Sequence, residues 1–409
     1  MATDFDPFDA AQAQNAWPLL AELRREGPVV AIGENMRYVP RHTECRAVLR
    51  DTAAFSNASG MKAPGVEIPL EDRILGELDP PRHTAVRRVM VTALTPKLIH
   101  AAEPFMRETA VDLLDALPDT GPADLVPAFT IPLPNRVTVH LLGFPPEDAD
   151  QIAAWAKELM ESPFPATNRS DRGEGFANAF PEFAGYIDAR IEARAARTTD
   201  SDEGGDIVGR LLGLEVDGAP LSRPTVRALV RNLITGGFTT TSQLLGNLLH
   251  QLLTNPRLET RVRGDERAIP RVVEESLRIS PPVLFVARGC IDGASIGGTE
   301  VPAGSRVIVG LASANRDEQV FSDGARFDAD RPNADQHVSF GYGSHVCPGA
   351  SLARVVARAG LEAFFDHFPP GTVQLQAGYE FENVPTFFEC GPRRLPIEAS
   401  SATPRGESS

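Results

Sequence analysis

The stretch FGYGSHVCPGASLAR, residues 340–354, places one cysteine, Cys347, in a glycine-rich loop directly before a segment of helical composition. A cysteine at a helix N-terminus lies near the positive end of the helix dipole and near unpaired backbone N–H groups, which favour the thiolate over the thiol. Gly341, Gly343 and Gly349 permit a positive φ or a close approach of the backbone to a flat, bulky group. The loop therefore indicates a nucleophile or a metal ligand.

Three other interpretations of Cys347 explain less of the loop. A lone free cysteine is most often a small buried hydrophobic residue. A zinc site needs further ligands, and only His337 and His345 are near, without a second pair of cysteines. A cysteine nucleophile with His345 as its base leaves the glycine and aromatic content of the loop unexplained.

Composition limits the function classes. The chain has 409 residues, of which 42% are hydrophobic, and its 55 acidic and 40 basic residues give a net charge of -15. Such a charge argues against nucleic acid or an anionic membrane as the main partner. The four cysteines show no pairing pattern, and the N-terminus resembles neither a signal peptide nor a membrane anchor. We expect a cytoplasmic monomer without disulfide bonds.

The hydrophobic pattern predicts a mainly α-helical protein with small β-sheets, an α+β fold. Residues 29–40 read as a hairpin, and most of residues 82–290 carry apolar residues at helical spacing. Strands and turns follow residue 282, and one further helix is expected near Pro348. The stretch 161–176 is predicted to be a loop. Because no linker divides the chain, we predict a single domain over residues 1–398 and a disordered tail over residues 399–409.

The cysteine loop resembles the haem-binding loop of the cytochrome P450 monooxygenases, in which Phe, Gly, a basic residue, Cys and Gly recur in this order. The resemblance implies the P450 fold, with haem b between a long central helix and the helix after the cysteine loop. It makes Cys347 the thiolate ligand of the haem iron, with Phe340 near the sulfur, His345 at a propionate and Gly349 in the loop motif. Pro348 replaces a frequent leucine, and proline is tolerated in a first helical turn.

Two further motifs resemble the same family. In RVVEESLRISPP, Glu275 and Arg278 lie on one helix face and would otherwise be read as a surface pair. The resemblance makes them a buried network that supports the cysteine loop, with Arg326 of GARFDADRP as its third member.

In LDPPRHTAVRRVM, His83 and Arg87 are four residues apart and share a helix face. This spacing is common, but here it resembles the family's propionate-binding helix. Arg288 in VLFVARGC matches a further propionate partner.

The segment ALVRNLITGGFTTTSQLLGNLLHQLL, residues 228–253, reads as a long apolar helix interrupted by two glycines, each of which costs about 1 kcal/mol relative to alanine. The small residues indicate either close helix packing or a helix distorted beside a ligand. The segment resembles the family's central helix, with Gly237 at its glycine and Thr240 at its oxygen-activating threonine. Thr239 then occupies the position of the usual acid. A register one residue earlier would place Phe238 there.

The resemblance implies a monooxygenase that inserts one atom of O2 into an apolar substrate, with electrons from a ferredoxin and an NAD(P)H-dependent reductase. Because an alcohol passes protons but does not carry them as a carboxyl group does, Thr239 leaves an alternative open. That alternative is a haem-thiolate enzyme that uses peroxide or performs a rearrangement. A third hypothesis, from another class, is a non-catalytic haem binder or sensor.

The same resemblance predicts where substrate and electron donor bind. Residues 58–75, 161–176 and 384–389 would shape the pocket, whose predicted wall residues are Gly237, Phe238, Phe285, Phe387 and Phe388. The ferredoxin is expected to dock at Arg354 and Arg358, which lie on successive turns of the helix after Cys347.

Overall fold

The structure, a computed structural model, describes residues 5–60, 69–161, 175–197, 205–265 and 267–400. Helices dominate it, as the sequence predicts. The helices are α1 (Ala10–Ala13), α2 (Ala16–Glu26), α3 (His42–Arg50), α4 (Arg82–Ala93), α5 (Pro96–Ala101), α6 (Glu103–Asp115), α7 (Pro132–Leu142), α8 (Ala149–Glu161), α9 (Gly175–Ala179), α10 (Pro181–Ala195), α11 (Ile207–Leu212), α12 (Arg223–Leu253), α13 (Pro256–Arg263), α14 (Ala268–Ile279), α15 (Leu311–Ala314) and α16 (Ala350–His367).

The strands are short and form small sheets. They are β1 (Val30–Ile32), β2 (Met36–Val39), β3 (Phe55–Ser56), β4 (Gly121–Asp124), β5 (Glu215–Val216), β6 (Ala219–Pro220), β7 (Val286–Cys290), β8 (Ala294–Ile296), β9 (Thr299–Val301), β10 (Arg306–Val309), β11 (Val373–Leu375) and β12 (Pro396–Ala399). The largest sheet has the order β1-β2-β10-β7-β3, and a second sheet has the order β11-β12-β4. β1 and β2 form the antiparallel hairpin expected over residues 29–40.

The 31-residue helix α12 runs through the helical core. Ser222 caps its N-terminus by accepting a hydrogen bond from the backbone N–H of Thr225. Leu244, Leu245 and Leu248 are buried, and α12 contacts α7, α8, α10, α14 and α16. Since most of its residues are buried, α12 lacks the polar stripe of a surface helix. No helix in the described ranges has the length and apolar character needed to cross a bilayer.

The C-terminal boundary was predicted too early. Ala399 pairs with Val373 and Gly121 in the second sheet, and the backbone N–H of Ser400 donates to Thr372 O at 2.8 Å. These hydrogen bonds tie residues 399 and 400 to the fold, while residues 401–409 lie outside the described residues. The predicted 161–176 loop also lies mostly outside them, although α8 includes Glu161 and α9 begins at Gly175. The single domain stays a prediction.

Candidate active site

A cavity of about 330 Å³ lies between α12 and the cysteine loop. On one side it is bounded by Gly236, Gly237 and Thr240 of α12, and on the other by Cys347 and Gly349. The rest of the wall is mainly apolar and includes Met90, Leu94, Val137, Leu141, Leu233, Leu244, Val283, Val286 and Leu352. The structure therefore brings the cysteine loop and the threonine run of the central helix to one apolar space.

The loop that carries Cys347 is held by its own backbone. The N–H of Cys347 donates to Phe340 O at 2.8 Å, and Gly341 and Gly343 have φ of 74° and 75°. A Cβ at Gly343 would lie 2.9 Å from the carbonyl oxygen of Leu49, so glycine is required where the loop packs on α3. Helix α16 begins at Ala350, near Pro348 as predicted, with Gly349 at its N-cap.

Cys347 lines the cavity, whereas Cys45, Cys290 and Cys390 are buried elsewhere in the fold. Burial in the fold raises the pKa of its thiol, against the opposing influence of the Gly349 N–H and the Arg87 guanidinium. The influence of the helix-terminal Gly349 N–H has the direction that the sequence argument gives, but burial outweighs it for the free thiol. A metal cation bound at the sulfur would displace this proton, because metal binding selects the thiolate.

Four basic side chains gather beside Cys347. His83, on α4, stacks on His345 of the cysteine loop with ring centroids 3.6 Å apart. Arg87 lies one turn after His83, and Arg288 comes from β7. Burial, followed by the neighbouring Arg87, lowers the pKa of His83 to about 4, and burial lowers that of Arg288 to about 10.

The carboxylate of Asp79 helps to position this cluster. Asp79 accepts hydrogen bonds from Ser56 Oγ at 2.5 Å and from the N–H of Asn57 at 2.8 Å, while its carbonyl accepts from the N–H of His83. The side-chain amide of Asn57 in turn lies 3.0 Å from His345 Nδ1. The turn at Asp79 thus fixes both imidazoles, although the sequence interpretation did not include Asn57.

The cluster suits an anionic group such as the two propionates of haem. Both ring nitrogens of His83 and Nε2 of His345 are buried and have no hydrogen-bond partner among the described residues. Unmade hydrogen bonds of buried groups are costly, and carboxylates would satisfy them with charge assistance from Arg87 and Arg288. Among the described residues, no group of three or more His, Cys, Asp or Glu could hold a metal ion by itself. The sulfur of Cys347 would hold the iron of a haem whose propionates this cluster binds.

Glu275 and Arg278 form a fully buried pair, each with 0% of its side chain exposed. Two parallel hydrogen bonds of 2.7 Å join the guanidinium to the carboxylate, and Arg278 also donates to the carbonyls of Asn315 and Gly324. The side chain of Asn315 bonds Ser339 Oγ and the N–H of Val338 at 2.7 Å each. This chain of contacts reaches the start of the cysteine loop.

The third member of this network is Arg331, and the prediction of Arg326 was wrong. Arg331 Nε donates to Glu275 Oε1 at 3.1 Å. The Arg326 side chain is 69% exposed and faces Asp328, and only its backbone carbonyl accepts a hydrogen bond from Arg278. Arg326 and Arg331 belong to one irregular segment. The chain turns between them, so only the Arg331 side chain points inward.

Thr240 and Thr239 face different neighbours. The Thr240 hydroxyl, at the cavity wall, donates to Gly236 O at 2.6 Å in the preceding turn. The Thr239 hydroxyl instead donates to Glu389 Oε1 at 2.7 Å. A Cβ at Gly237 would lie 3.2 Å from Thr138 Oγ1, so close packing against α7 also explains this glycine.

The family model for cytochrome P450 matches residues 27–383. The chain belongs to the cytochrome P450 family. It is 33% identical to erythromycin C-12 hydroxylase of Saccharopolyspora erythraea, over 94% of each chain, and 33% identical to cyclomarin C epoxidase CymV of Salinispora arenicola, over 95% of this chain and 97% of the relative.

Solved structures agree with this membership. Cytochrome P450 CYP109Q5 of Chondromyces apiculatus superposes with a TM-score of 0.85 at 31% identity, over 98% of this chain and all of the other. A mutant of P450 EryK in complex with erythromycin B gives the same TM-score and identity, over 97% of this chain and 98% of the other. The protein is therefore a haem-thiolate monooxygenase whose cofactor is haem b. When bound, the haem supplies the activation of O2, which an anionic thiolate ligand promotes.

Four phenylalanines that were predicted to line the pocket of this P450 do not line the cavity. Phe238 precedes Thr240 by two positions, about 200° around the helix, and is buried in the helical core. Phe285, Phe387 and Phe388 pack together with Phe8 beside the largest sheet. Val283 and Val286 take their place, because they lie on the side of this segment that faces the cavity.

The arginines predicted to bind the electron donor are already paired. Arg354 makes a bidentate ion pair with Glu274, at 2.5 and 2.9 Å, and its guanidinium lies 4.6 Å from the centroid of the Phe340 ring. Arg358 donates to Glu103 at 2.7 Å. These ion pairs join α16 to α14 and α6, and docking of the electron donor at the two arginines stays a prediction.

Proposed function

We propose that this P450 hydroxylates or epoxidises a bulky, mainly apolar natural product with one oxygen atom from O2. Cys347 is the thiolate ligand in this proposal, and His83, Arg87, Arg288 and His345 hold the propionates. The supporting observation is the apolar wall that meets Thr240 and Cys347 in one cavity. An apolar pocket with few polar groups binds substrate by burial and orients it through those groups.

The names of the relatives support the proposal that this substrate is bulky. They act on erythromycin, cyclomarin C and 6-deoxyerythronolide B, according to their names. In the cavity wall of this protein, the polar side chains at α12 include Asn232, whose Oδ1 accepts the N–H of Leu75 at 3.2 Å. Its NH2 group is then the donor for a substrate oxygen. We therefore infer a neutral oxygenated scaffold of macrolide or cyclic-peptide type.

Spin-state titration tests this proposal. We expect a macrolide or a cyclic peptide to shift the haem spectrum towards the high-spin form, because a fitting apolar ligand displaces the water on iron. Mass spectrometry of the turnover mixture should then show a product with one added oxygen. A shift with simple fatty acids and none with macrolides or cyclic peptides would contradict the substrate class.

We propose that the electron donor is an acidic ferredoxin, which an NAD(P)H-dependent reductase reduces. In this proposal the P450 works in the cytoplasm as a monomer. The docking surface includes Arg46 and Arg50 of α3, next to the cysteine loop. Both guanidinium groups donate to the hydroxyl of Tyr342 at 2.7 Å. Neither arginine forms an ion pair with a carboxylate in the part of the chain that the structure describes, so their charge is available to a partner.

Reversing both charges tests the docking surface. We expect Arg46→Glu with Arg50→Glu to slow reduction by ferredoxin by about tenfold at low salt, because electrostatic steering is lost, and to matter less as salt rises. Stopped-flow reduction measures this rate. The matched control, Arg197→Glu with Arg223→Glu, makes the same charge change at exposed positions on α12 and just after α10. Equal rates for the two double variants would exclude the surface.

A further inference from the structure

A carboxyl group lies where the central helix lacks one. Glu389 is 3% exposed, and its Oε1 accepts the hydroxyl proton of Thr239 at 2.7 Å. Thr239 immediately precedes Thr240, whose hydroxyl is at the cavity wall. The acid comes from a segment 150 positions later in the chain, so it lies outside the motif of the central helix.

The backbone holds Glu389 in place independently of its carboxyl group. Glu389 forms an antiparallel bridge with Val283, a residue of the cavity wall. Its N–H donates to Thr386 Oγ1 at 3.1 Å, and its carbonyl accepts from the side chain of Asn383 at 3.0 Å. These backbone contacts fix the position of Glu389, and its side chain points to Thr239 of α12, next to Thr240.

We propose that Glu389 carries protons to the O2-binding side of the haem through Thr239. The overall reaction consumes O2, two protons and two electrons per substrate and yields one oxygenated product and one water, and the ferredoxin supplies the electrons. This inference rests on the O2-dependent function proposed above. It makes the peroxide hypothesis unnecessary, because the missing acid at position 239 is replaced.

Protons and O–H bonds balance in each transfer along this path. The Thr239 hydroxyl, which donates to Glu389 Oε1, first rotates so that it donates to a water at the cavity and its oxygen accepts from the protonated Glu389 carboxyl. Glu389 then gives its proton to the Thr239 oxygen while the original hydroxyl proton passes to that water, and Glu389 is left as a carboxylate. One O–H bond breaks and one forms at the Thr239 oxygen. A proton from solvent then returns to Glu389 and regenerates its carboxyl group. Thr239 alone could not do this, because an alcohol neither stores nor releases a proton near neutral pH.

The substitution Glu389→Gln tests the proton-carrying role, because the amide keeps the acceptor oxygen and the shape. With O2 and ferredoxin we expect the product formed per NAD(P)H to fall by about tenfold or more, with hydrogen peroxide released instead. Turnover with added hydrogen peroxide should persist, since that oxidant brings its own protons. The matched control is Glu382→Gln, a change of an exposed carboxylate that pairs with Arg393 in the same segment. This control variant should form as much product per NAD(P)H as the parent does.

Infrared difference spectroscopy gives a readout that does not depend on turnover. The difference between the infrared spectra of the haem-loaded parent and the haem-loaded Glu389→Gln variant should contain a carboxyl C=O stretching band. This band should shift in D2O and change with pH. A solely structural carboxylate would give no such exchanging band. Equal coupling in parent and Glu389→Gln, or absence of the exchanging band, would overturn the proposal. If the parent itself makes no O2-dependent product, the proposed function fails instead.

A second variant covers the case in which Glu389→Gln does not fold. Thr239→Val removes only the hydroxyl and leaves Glu389 in place. It should bind haem, keep the substrate-induced spin shift and lose coupling as Glu389→Gln would. Full coupling in Thr239→Val would show that protons take another path and would reject the relay.

Discussion

Cys347→Ser should abolish O2-dependent product formation. Serine keeps the size of the side chain but offers an alcohol in place of a thiolate, so the electron donation that favours O–O cleavage is lost. The reduced carbon monoxide complex should lose the long-wavelength absorption band that thiolate ligation produces. Haem content need not fall to zero, because the basic cluster around His83 still offers partners for the propionates.

The control for this substitution is Cys45→Ser. Cys45 is buried away from the cavity and donates its S–H to Val39 O at 3.1 Å, a hydrogen bond that serine can keep. This variant should retain the thiolate band and product formation. Retention of the band in Cys347→Ser would mean that another cysteine ligates the iron, and the assignment of the loop would be wrong.

The parts of the site that sequence could predict are local in the chain. Glu275 and Arg278 share a helix turn, as do His83 and Arg87, and the cysteine loop is one continuous stretch. In each case the spacing specifies a shared face before any tertiary contact is known. The structure pairs Glu275 with Arg278 and stacks His83 on His345 of the cysteine loop.

The parts that sequence could not predict depend on contacts between distant segments. Arg354 and Arg358 read as free cations until α14 and α6 supply Glu274 and Glu103. Glu389 reads as an ordinary loop acid until the chain returns to α12. Its one local signal is a lone carboxylate inside the apolar run PTFFEC, since such a residue is seldom buried without a role.

The error at Arg326 has a different cause. The segment GARFDADRP contains Arg326 and Arg331, and its irregular turns follow no helical or strand period. Periodicity therefore could not decide which arginine points inward. The turn hydrogen bonds decide it, because Arg331 N–H bonds to Asp328 O and the Asp328 N–H bonds to Glu275 Oε1 at 2.8 Å.

Glu275→Ala should have the largest effect on the fold. The change leaves two buried guanidinium groups, those of Arg278 and Arg331, without their carboxylate, and it also removes the acceptor of the Asp328 N–H. Removal of one partner from a buried ion pair costs about 3–5 kcal/mol. Because Arg278 holds Asn315, which holds Ser339, we expect the cysteine loop to lose its position and the protein to lose haem.

Haem absorbance per mole of protein and denaturant unfolding measure these two effects. Arg331→Gln should also destabilise the protein by more than 1 kcal/mol, since it removes a buried member of the same network. Arg326→Gln is the matched control from the same segment, and as an exposed change it should stay within about 0.5 kcal/mol of the parent. If Arg326→Gln lowers the free energy of unfolding more than Arg331→Gln does, the network contains Arg326 instead of Arg331. If Glu275→Ala keeps its haem, the Glu275–Arg278 pair does not support the cysteine loop.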